Sequence, residues 1–600
     1  MAINDADNIG LEDFSEVISD KYAYYVDKTK YLENVFGSST KVMLFTRPRR
    51  FGKSLTISMF EYFLKMNYSN PHNKSKAISL FKNLEIFKKK EFVLNNLAQY
   101  PVINVSFKEV SSTRSYEEAL GNLGDRLSSI ADRIHAELFG KFRFVNYLRW
   151  FNPLNLLIRH KLQQILYINI KNYDLEKKAV IIKNGLATII TALSRYTGKK
   201  VIVLVDEYDV PLAKNSCRDF YEDFKTVYAA MLSNALKTNS DLKKAVLTGC
   251  MLVAKESIFT GFNNFYSSDF NDPEYSEFYG FTENEVKTML KHYGLEDKFD
   301  VFREWYDGYN FGKSHIFCPW DVLNCIRDLK ADPNCELDTY WVNTGNVDLL
   351  QELYRKNADK YSDKFQLLLD GQSIEVELEK NLNYQMLNGD VKENYFWTVM
   401  YLTGYLTRDL TKESKVFLKI PNKSVKRVIK KLLSWCFSVD NPQFEARVNP
   451  ILKYIKDKQD KALITTFDNL LLRYVSVSDI SSSVLKEYFY QGFLNGIFSQ
   501  VCNTLDYYYN SNSEYGTGRC DITFKIPPVE ENKLAIGVVI EIKVADSQSD
   551  LEKKAELAIN QIKEKQYAQG YFVKNLVSEV VMIGVAFYKK SSFVKIETMN

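Results

Sequence analysis

Histidine is scarce in this 600-residue chain: five are present, and none lies beyond His315. The eight cysteines are scattered and never fall as Cys-x-x-Cys, so no zinc cluster is expected. The expectation is reduced thiols in a cytoplasmic protein. No stretch approaches the roughly 18 uninterrupted apolar residues of a membrane span. The opening MAINDADNIGLEDFSEV is acidic and polar, without the basic segment and apolar core of a secretory signal. Proline (13) and glycine (25) are sparse, whereas tyrosine and phenylalanine reach 39 each, which favours dense packing over disordered linkers. An excess of one charge is missing too. With 79 basic and 75 acidic residues the net charge is +4, so the signature of a general nucleic-acid binder is absent, although a local basic groove stays compatible with it.

What is present is ample apolar material, 46% of residues, in a chain long enough for about three or four domains. One tetrapeptide, Phe-Gly-Lys-Ser, occurs twice, at 51–54 and 311–314. A phosphate loop needs a buried strand, a tight turn and a helix opening directly from it, so that free N–H groups and the helix dipole face the anion. The first copy has all three: KVMLFT reads as the strand, RPRRFG as the turn, and KSLTISMFEYFLKM has helical apolar spacing. The second copy follows a helix end and a glycine turn, and Pro319 comes too soon after it for a continuing helix. It is expected to be a structural loop.

The first copy departs from the general G-x-x-x-x-G-K-[ST] pattern, because Arg47 stands where the first glycine belongs. A second motif supports it. VIVLVDE at 201–207 is an apolar strand ending in Asp206 and Glu207, expected beside the phosphate-loop strand. Asp206 would hold magnesium through water and Glu207 would polarise the attacking water. The bland alternative is a buried strand with two acids at its exposed end. PVINVSF (101–107) and KKAVLTG (243–249) fit the same sheet. Alternation with helical stretches implies a doubly wound α/β domain with its ligand at the strand carboxyl ends, where Thr248 points at the centre or serves as a turn residue.

YYVDKTKYLENVF, LFTRPRRFGKSLTISMFEYFL, VIVLVDEYDVP, LTGCMLVAKESIFTGFNNF and WYDGYNFG, in this order from about residue 12 to about residue 345, resemble the AAA-ATPase-like family. In that family the Arg-Pro-Arg-Arg-Phe-Gly-Lys-Ser loop is typical, and the second FGKS falls on a lid element. The resemblance implies ATP and Mg2+ as ligands. It places Gly52 and Lys53 on the phosphates, Ser54 and Asp206 at the metal, Glu207 as the water-activating base, and Thr248 beside them. Arg49 and Arg50 face phosphate, a neighbouring subunit or solvent. Asp27 and Lys28 lie near the base or cap a helix. A homo-oligomer is compatible with such domains.

From about 346 the pattern is helical. YFWTVMYLTGYLT (395–407) reads as core, and SVKRVIKKLLSWCFS (424–438) as a basic amphipathic helix, a solvated face before a phosphate-tracking one. The last 120 residues form a separate α/β unit. Glu541 and Lys543, two apart on the strand GVVIEIKVA, share a face, and Asp521 in RCDITFKI can join them from the adjacent strand. Two carboxylates bind a divalent metal, and a neighbouring lysine orients or deprotonates water, or offsets charge on a phosphorane-like transition state. Alternating charges on a solvated strand face are the bland alternative. With Lys-Glu-Tyr-Phe-Tyr before it, YGTGRCD, then Gln561 and Tyr567, the set resembles the PD-(D/E)xK nuclease superfamily over about 480–592. The resemblance implies Asp521, Glu541 and Lys543 as the catalytic core, Glu487 as an added metal-binding acid, and nucleic acid as partner, DNA ahead of RNA. Gln491 stands where that branch often has histidine.

The expected architecture is a P-loop, AAA-like parallel-sheet domain (1–280), a helical lid (281–345), a helical connector (346–479) and a restriction-endonuclease-like α/β domain (480–600). The expected function is ATP binding and hydrolysis coupled to a metal-dependent nuclease-like domain. The alternative is an ATP-dependent switch whose nuclease fold binds without cutting.

Overall fold

The computed structural model describes residues 9–20, 23–139, 153–251, 264–340, 350, 353–354, 358–369, 371–379, 382–387, 391–412, 415–435, 450–474, 490–498, 509–528, 534–575 and 577–599. Two compact units are present: residues 1–346 with 375–425, and residues 347–374 with 426–600.

The first unit is built on five parallel strands: β1 (Val42–Thr46), β2 (Val102–Ser106), β3 (Val201–Asp206), β4 (Leu242–Gly249) and β5 (Phe265–Ser268), in the order β2-β3-β4-β1-β5. Every residue of β1 and β3 is buried, which is why VMLFT and VIVLVD are continuous apolar runs rather than alternating ones. One expectation is corrected by the strand order. β3 does not lie beside β1, because β4 pairs with both and is inserted between them. The register nevertheless levels the carboxyl ends: Phe45 pairs with Thr248, Val205 with Leu247, and Ser106 with Asp206.

The helix Lys53–Leu64 follows β1 and buries Ile57, Met59, Phe60, Phe63 and Leu64. Farther along, β6 (Phe281–Thr282) leads into the helix Glu283–Tyr293, which starts on a Thr282/Glu285 capping box and stops at left-handed Gly294. The helices Phe299–Tyr306 and Pro319–Ala331 share its core, around Met289, Phe302, Tyr306 and Ile326. Between them runs a hairpin of β7 (Tyr309–Phe311) and β8 (Ser314–Phe317). The second FGKS is this hairpin turn, with Gly312 at φ 54°, and Pro319 opens the next helix.

The 346–479 stretch contains helices, but also the short strands β9 (Ile374–Glu375), β10 (Thr407–Arg408) and β11 (Phe417–Lys419), which the helical pattern did not signal. The helix Glu393–Leu402 buries Phe396, Trp397, Val399 and Met400, as its aromatic sequence predicts. The basic segment forms a helix over Lys423–Trp435; residues 436–438 lie outside the described residues.

The second unit holds a mixed sheet of β12 (Tyr509–Tyr515), β13 (Gly518–Ile526), β14 (Ile536–Val544), β15 (Glu579–Tyr588) and β16 (Ser591–Met599), in sequence order across the sheet. Only the β14–β15 pair is parallel. The crossover is made by the two helices Leu551–Glu564 and Tyr567–Asn575. Period-2 alternation divides β14: Ile540 and Ile542 enter the core shared with residues 490–498 and the helix Asp460–Tyr474, while Val539 faces Ile559, Ile562 and Tyr567. Among the described residues, no helix is long and apolar enough to cross a membrane.

Candidate functional site

In the first unit β1 delivers the chain into the turn 47–52. Arg50 and Gly52 take positive φ (70° and 83°), and the helix from Lys53 starts with no side-chain cap. Its first N–H groups therefore face a cleft of about 400 Å3, lined at this end by Arg49, Gly52, Lys53, Ser54 and Glu207. Its lining is also apolar and aromatic, with Tyr24, Val26, Phe281, Pro319 and Trp320.

Arg47, at the position of the missing glycine, is fully buried. Its guanidinium donates to the carbonyls of Thr46 (2.9 Å), Ser268 (3.0 Å) and Tyr275 (3.2 Å) and to the Ser268 hydroxyl (3.1 Å). Burial lowers its proton affinity, and the rings of Tyr279 and Phe311 lie 5.6 and 5.4 Å away. Arg47 thus fastens the turn to the edge strand β5. The two FGKS copies also meet here, since Phe51 packs on Phe311 with centroids 5.2 Å apart.

Lys53 is 5% exposed, and its ammonium donates to the carbonyls of Arg47 (3.2 Å) and Pro48 (2.9 Å), with the Cys250 sulfur at 3.6 Å. Ser54 donates to Asp206 Oδ2 at 2.6 Å, and Thr248 to Asp206 Oδ1 at 2.5 Å. Because β4 intervenes between β1 and β3, its Thr248 joins Ser54 and the Glu207 amide in holding the β3 carboxylate. Glu207 follows at φ 53° with its carboxyl raised by burial, and Lys53 opposes that rise. Arg49 belongs to this end of the cleft, while Arg50 lies over the Trp320 ring at 3.8 Å. Asp27 is a turn cap: it accepts from Thr29 N and Oγ1 (2.8 and 2.6 Å) and from Glu85 N (2.7 Å). Lys28 lines the cleft, paired with Glu285 at 2.7 Å.

In the second unit the register of β13 with β14 is laddered from Ile522–Ile540 inward. One step beyond, the Asp521 carboxylate reaches across and accepts from the Ile542 amide at 2.8 Å. The other Asp521 oxygen accepts from Gln491 Nε2 at 2.9 Å. Glu541, only 3% exposed, accepts from Lys543 at 3.3 Å and from the amide of Gln561. The turn 516–517 presses on the junction of the two crossover helices: Thr517 N donates to Lys565 O at 2.9 Å, and a Cβ on Gly516 (φ 57°) would lie 2.0 Å from that oxygen. The structure therefore brings Asp521, Glu541, Lys543, Gln491 and Gln561 together. Glu487 and residues 252–263 lie outside the described residues.

Residues 8–259 match the family described as "Predicted AAA-ATPase", and residues 485–597 match the "PD-(D/E)XK nuclease superfamily". The chain joins an AAA-ATPase-like domain to a PD-(D/E)XK nuclease-superfamily domain. An uncharacterized protein in the vnfD 5' region of Azotobacter chroococcum mcd 1 is 25% identical over 351 residues, covering 57% of this chain and 56% of that protein. The chain spans about half the length of this relative.

Two residues of the AAA-ATPase-like domain escaped the sequence reading. Asp209 is buried three residues past Asp206 and accepts from the amides of Cys250 (3.2 Å) and Met251 (3.0 Å); burial raises its carboxyl. Its signal was the third acid of DEYD. Arg47 gave no signal beyond its mismatch with the glycine. The donor chemistry suits a hard cation at both centres: a hydroxyl and a carboxylate at Ser54 and Asp206, two carboxylates at Asp521 and Glu541. Among the described residues, no group of three or more His, Cys, Asp or Glu side chains is placed to hold a metal.

Proposed function

We propose that the AAA-ATPase-like domain binds and hydrolyses ATP, and that this controls a metal-dependent phosphodiesterase centre acting on nucleic acid, DNA ahead of RNA. The observation that carries the reading is the convergence of Lys53, Ser54, Asp206, Thr248 and Glu207 at the open start of one helix. In this reading Lys53 exchanges its loop carbonyls for the β/γ-phosphates, and the N–H groups from Gly52 onward cradle the same oxygens. Glu207 takes a proton from the attacking water, and its burial brings its basicity closer to that task. Arg49 completes the positive end of the cleft. Ser54 and Asp206 would hold Mg2+, which supplies neutralisation of phosphate charge when bound.

At the second centre Asp521 and Glu541 would hold Mg2+, with Glu487 as an additional acid. Lys543 orients water or offsets charge on the reacting phosphate. A second reading, a nuclease fold that binds without cutting, is favoured by the burial of Glu541 and by the glutamine amides seated on both carboxylates.

The test is two-armed. ATP turnover should be lost in Lys53→Ala and Glu207→Gln; wild-type rates in those variants would sink the ATPase assignment. Labelled single- and double-stranded DNA and RNA, with Mg2+ or Mn2+ and with or without ATP, should be cleaved by the wild type and not by Asp521→Ala or Lys543→Ala. ATP turnover without any cleavage would select the second reading.

A further inference from the structure

Residues 375–425 pack in the first unit, although the segments on both sides of them, 347–374 and 426–600, belong to the second. Within the first unit they reach the nucleotide cleft's machinery at three places. Tyr384, 2% exposed, sets its hydroxyl 3.4 Å from Asp209 Oδ2, the carboxylate that also gathers the amides of Cys250 and Met251 just past β4. Gly404 lies against the phosphate loop, where a Cβ would stand 3.0 Å from the Pro48 Cβ. Thr407 and Arg408 bond Asn310 of the β7–β8 hairpin (2.9 and 2.7 Å), whose Phe311 packs on Phe51.

These contacts meet groups that a bound triphosphate would disturb. The Lys53 ammonium now holds the carbonyls of Arg47 and Pro48. An anion that draws the ammonium away releases both carbonyls, and Pro48 is the residue against Gly404. At the other end, Asp209 stands two residues from Glu207. A ligand shifts a distant equilibrium only through contacts that differ between its two states, and here both contacts lie on one segment.

We propose that residues 375–425 are the element of the first unit that senses the nucleotide state of the cleft, with Tyr384 as the positioning residue at its catalytic end. The proposal rests on the ATPase reading above. Tyr384 touches no phosphate in it; its hydroxyl helps fix Asp209, and through Asp209 the backbone past β4.

The experiment uses the full chain. Tyr384→Phe removes one hydroxyl and keeps the ring. Losing one hydrogen bond to a carboxylate should lower kcat for ATP about tenfold while KM stays within about twofold. In the wild type, amide hydrogen exchange in 382–387 and 401–408 should slow on addition of ATP and Mg2+. Wild-type kcat in Tyr384→Phe, or exchange at both segments indifferent to ATP in a chain that hydrolyses it, overturns the proposal. A wild type that neither binds nor hydrolyses ATP instead overturns the ATPase reading beneath it.

Discussion

Changing Arg47 to glycine would restore the general phosphate-loop pattern, yet it should weaken the loop. The buried guanidinium satisfies three main-chain carbonyls and one hydroxyl. A buried acceptor that loses its donor costs about 1–3 kcal/mol. Carbonyls keep a second lone pair, so the low end applies, and three of them give about 3 kcal/mol. The void left between Tyr279 and Phe311 adds about 1–2 kcal/mol. Against this, the variant no longer desolvates a cation, the effect that lowers the proton affinity of Arg47. The net expectation is a loss of about 3 kcal/mol, a large share of the roughly 5–15 kcal/mol that holds a domain folded. A chain of two units does not unfold in one step, so the readout is the urea transition whose midpoint ATP raises. Arg47→Gly should lower that midpoint and weaken ATP binding, and Arg47→Met, which refills the space, should recover part of the loss. An unchanged midpoint, or tighter ATP binding in the glycine variant, would refute the reasoning.

Asp321, buried in the helix Pro319–Ala331, has its carboxyl pushed up to about 7 from 3.8 by burial. Between those values the folded chain keeps a proton that the unfolded chain has lost, so stability should fall as pH rises from about 4 to 7 and level off above; the span corresponds to at most about 4 kcal/mol. Asp321→Asn should flatten that slope and melt later at pH 8, and an identical slope in the variant would exclude Asp321 as its source. Burial also raises Glu207, so the acid limb of ATP turnover should lie above the ordinary glutamate value of about 4.3; a limb at or below 4 would remove Glu207 as the base. Gln561→Ala removes an amide donor from Glu541 and should reduce metal-dependent cleavage about tenfold without changing ATP turnover. Equal cleavage by the variant would show that Glu541 is held by its other partners alone.

Legibility of the fold followed solvation. Interior strands of a parallel sheet are dry on both faces, so VMLFT and VIVLVD could only be apolar runs, and they were readable. In the two five-stranded sheets, three strands that gave no signal are the edges: FYSS of β5, YNSNSEY of β12 and SSFVKIETM of β16. An edge strand is half wet and needs no apolar run, so composition does not announce it. Strand order was equally hidden. The insertion of β4 between β1 and β3 is a tertiary choice, and with it went the role of Thr248 as the donor to the Asp206 oxygen that Ser54 leaves open. The second FGKS was readable because Pro319 forbids the helix a phosphate loop requires; its packing against the first copy through Phe311 and Phe51 was not, because nothing local records it.

The same distinction separates the site residues. Glu541 and Lys543 were readable as a pair because a strand fixes i and i+2 on one face whatever the tertiary structure does. Asp521 could be suggested only as a neighbour. Its actual task depends on where the β13–β14 ladder stops: the carboxylate takes the Ile542 amide just past the last ladder pair. Tyr384 and Arg47 are of this second kind, side chains placed to satisfy groups that only the folded chain brings within reach. A glycine at 47 satisfies the loop's local geometry and leaves those groups unanswered. Its effect on the ATP-shifted transition therefore measures how much of the phosphate loop is made by its own sequence and how much by β5.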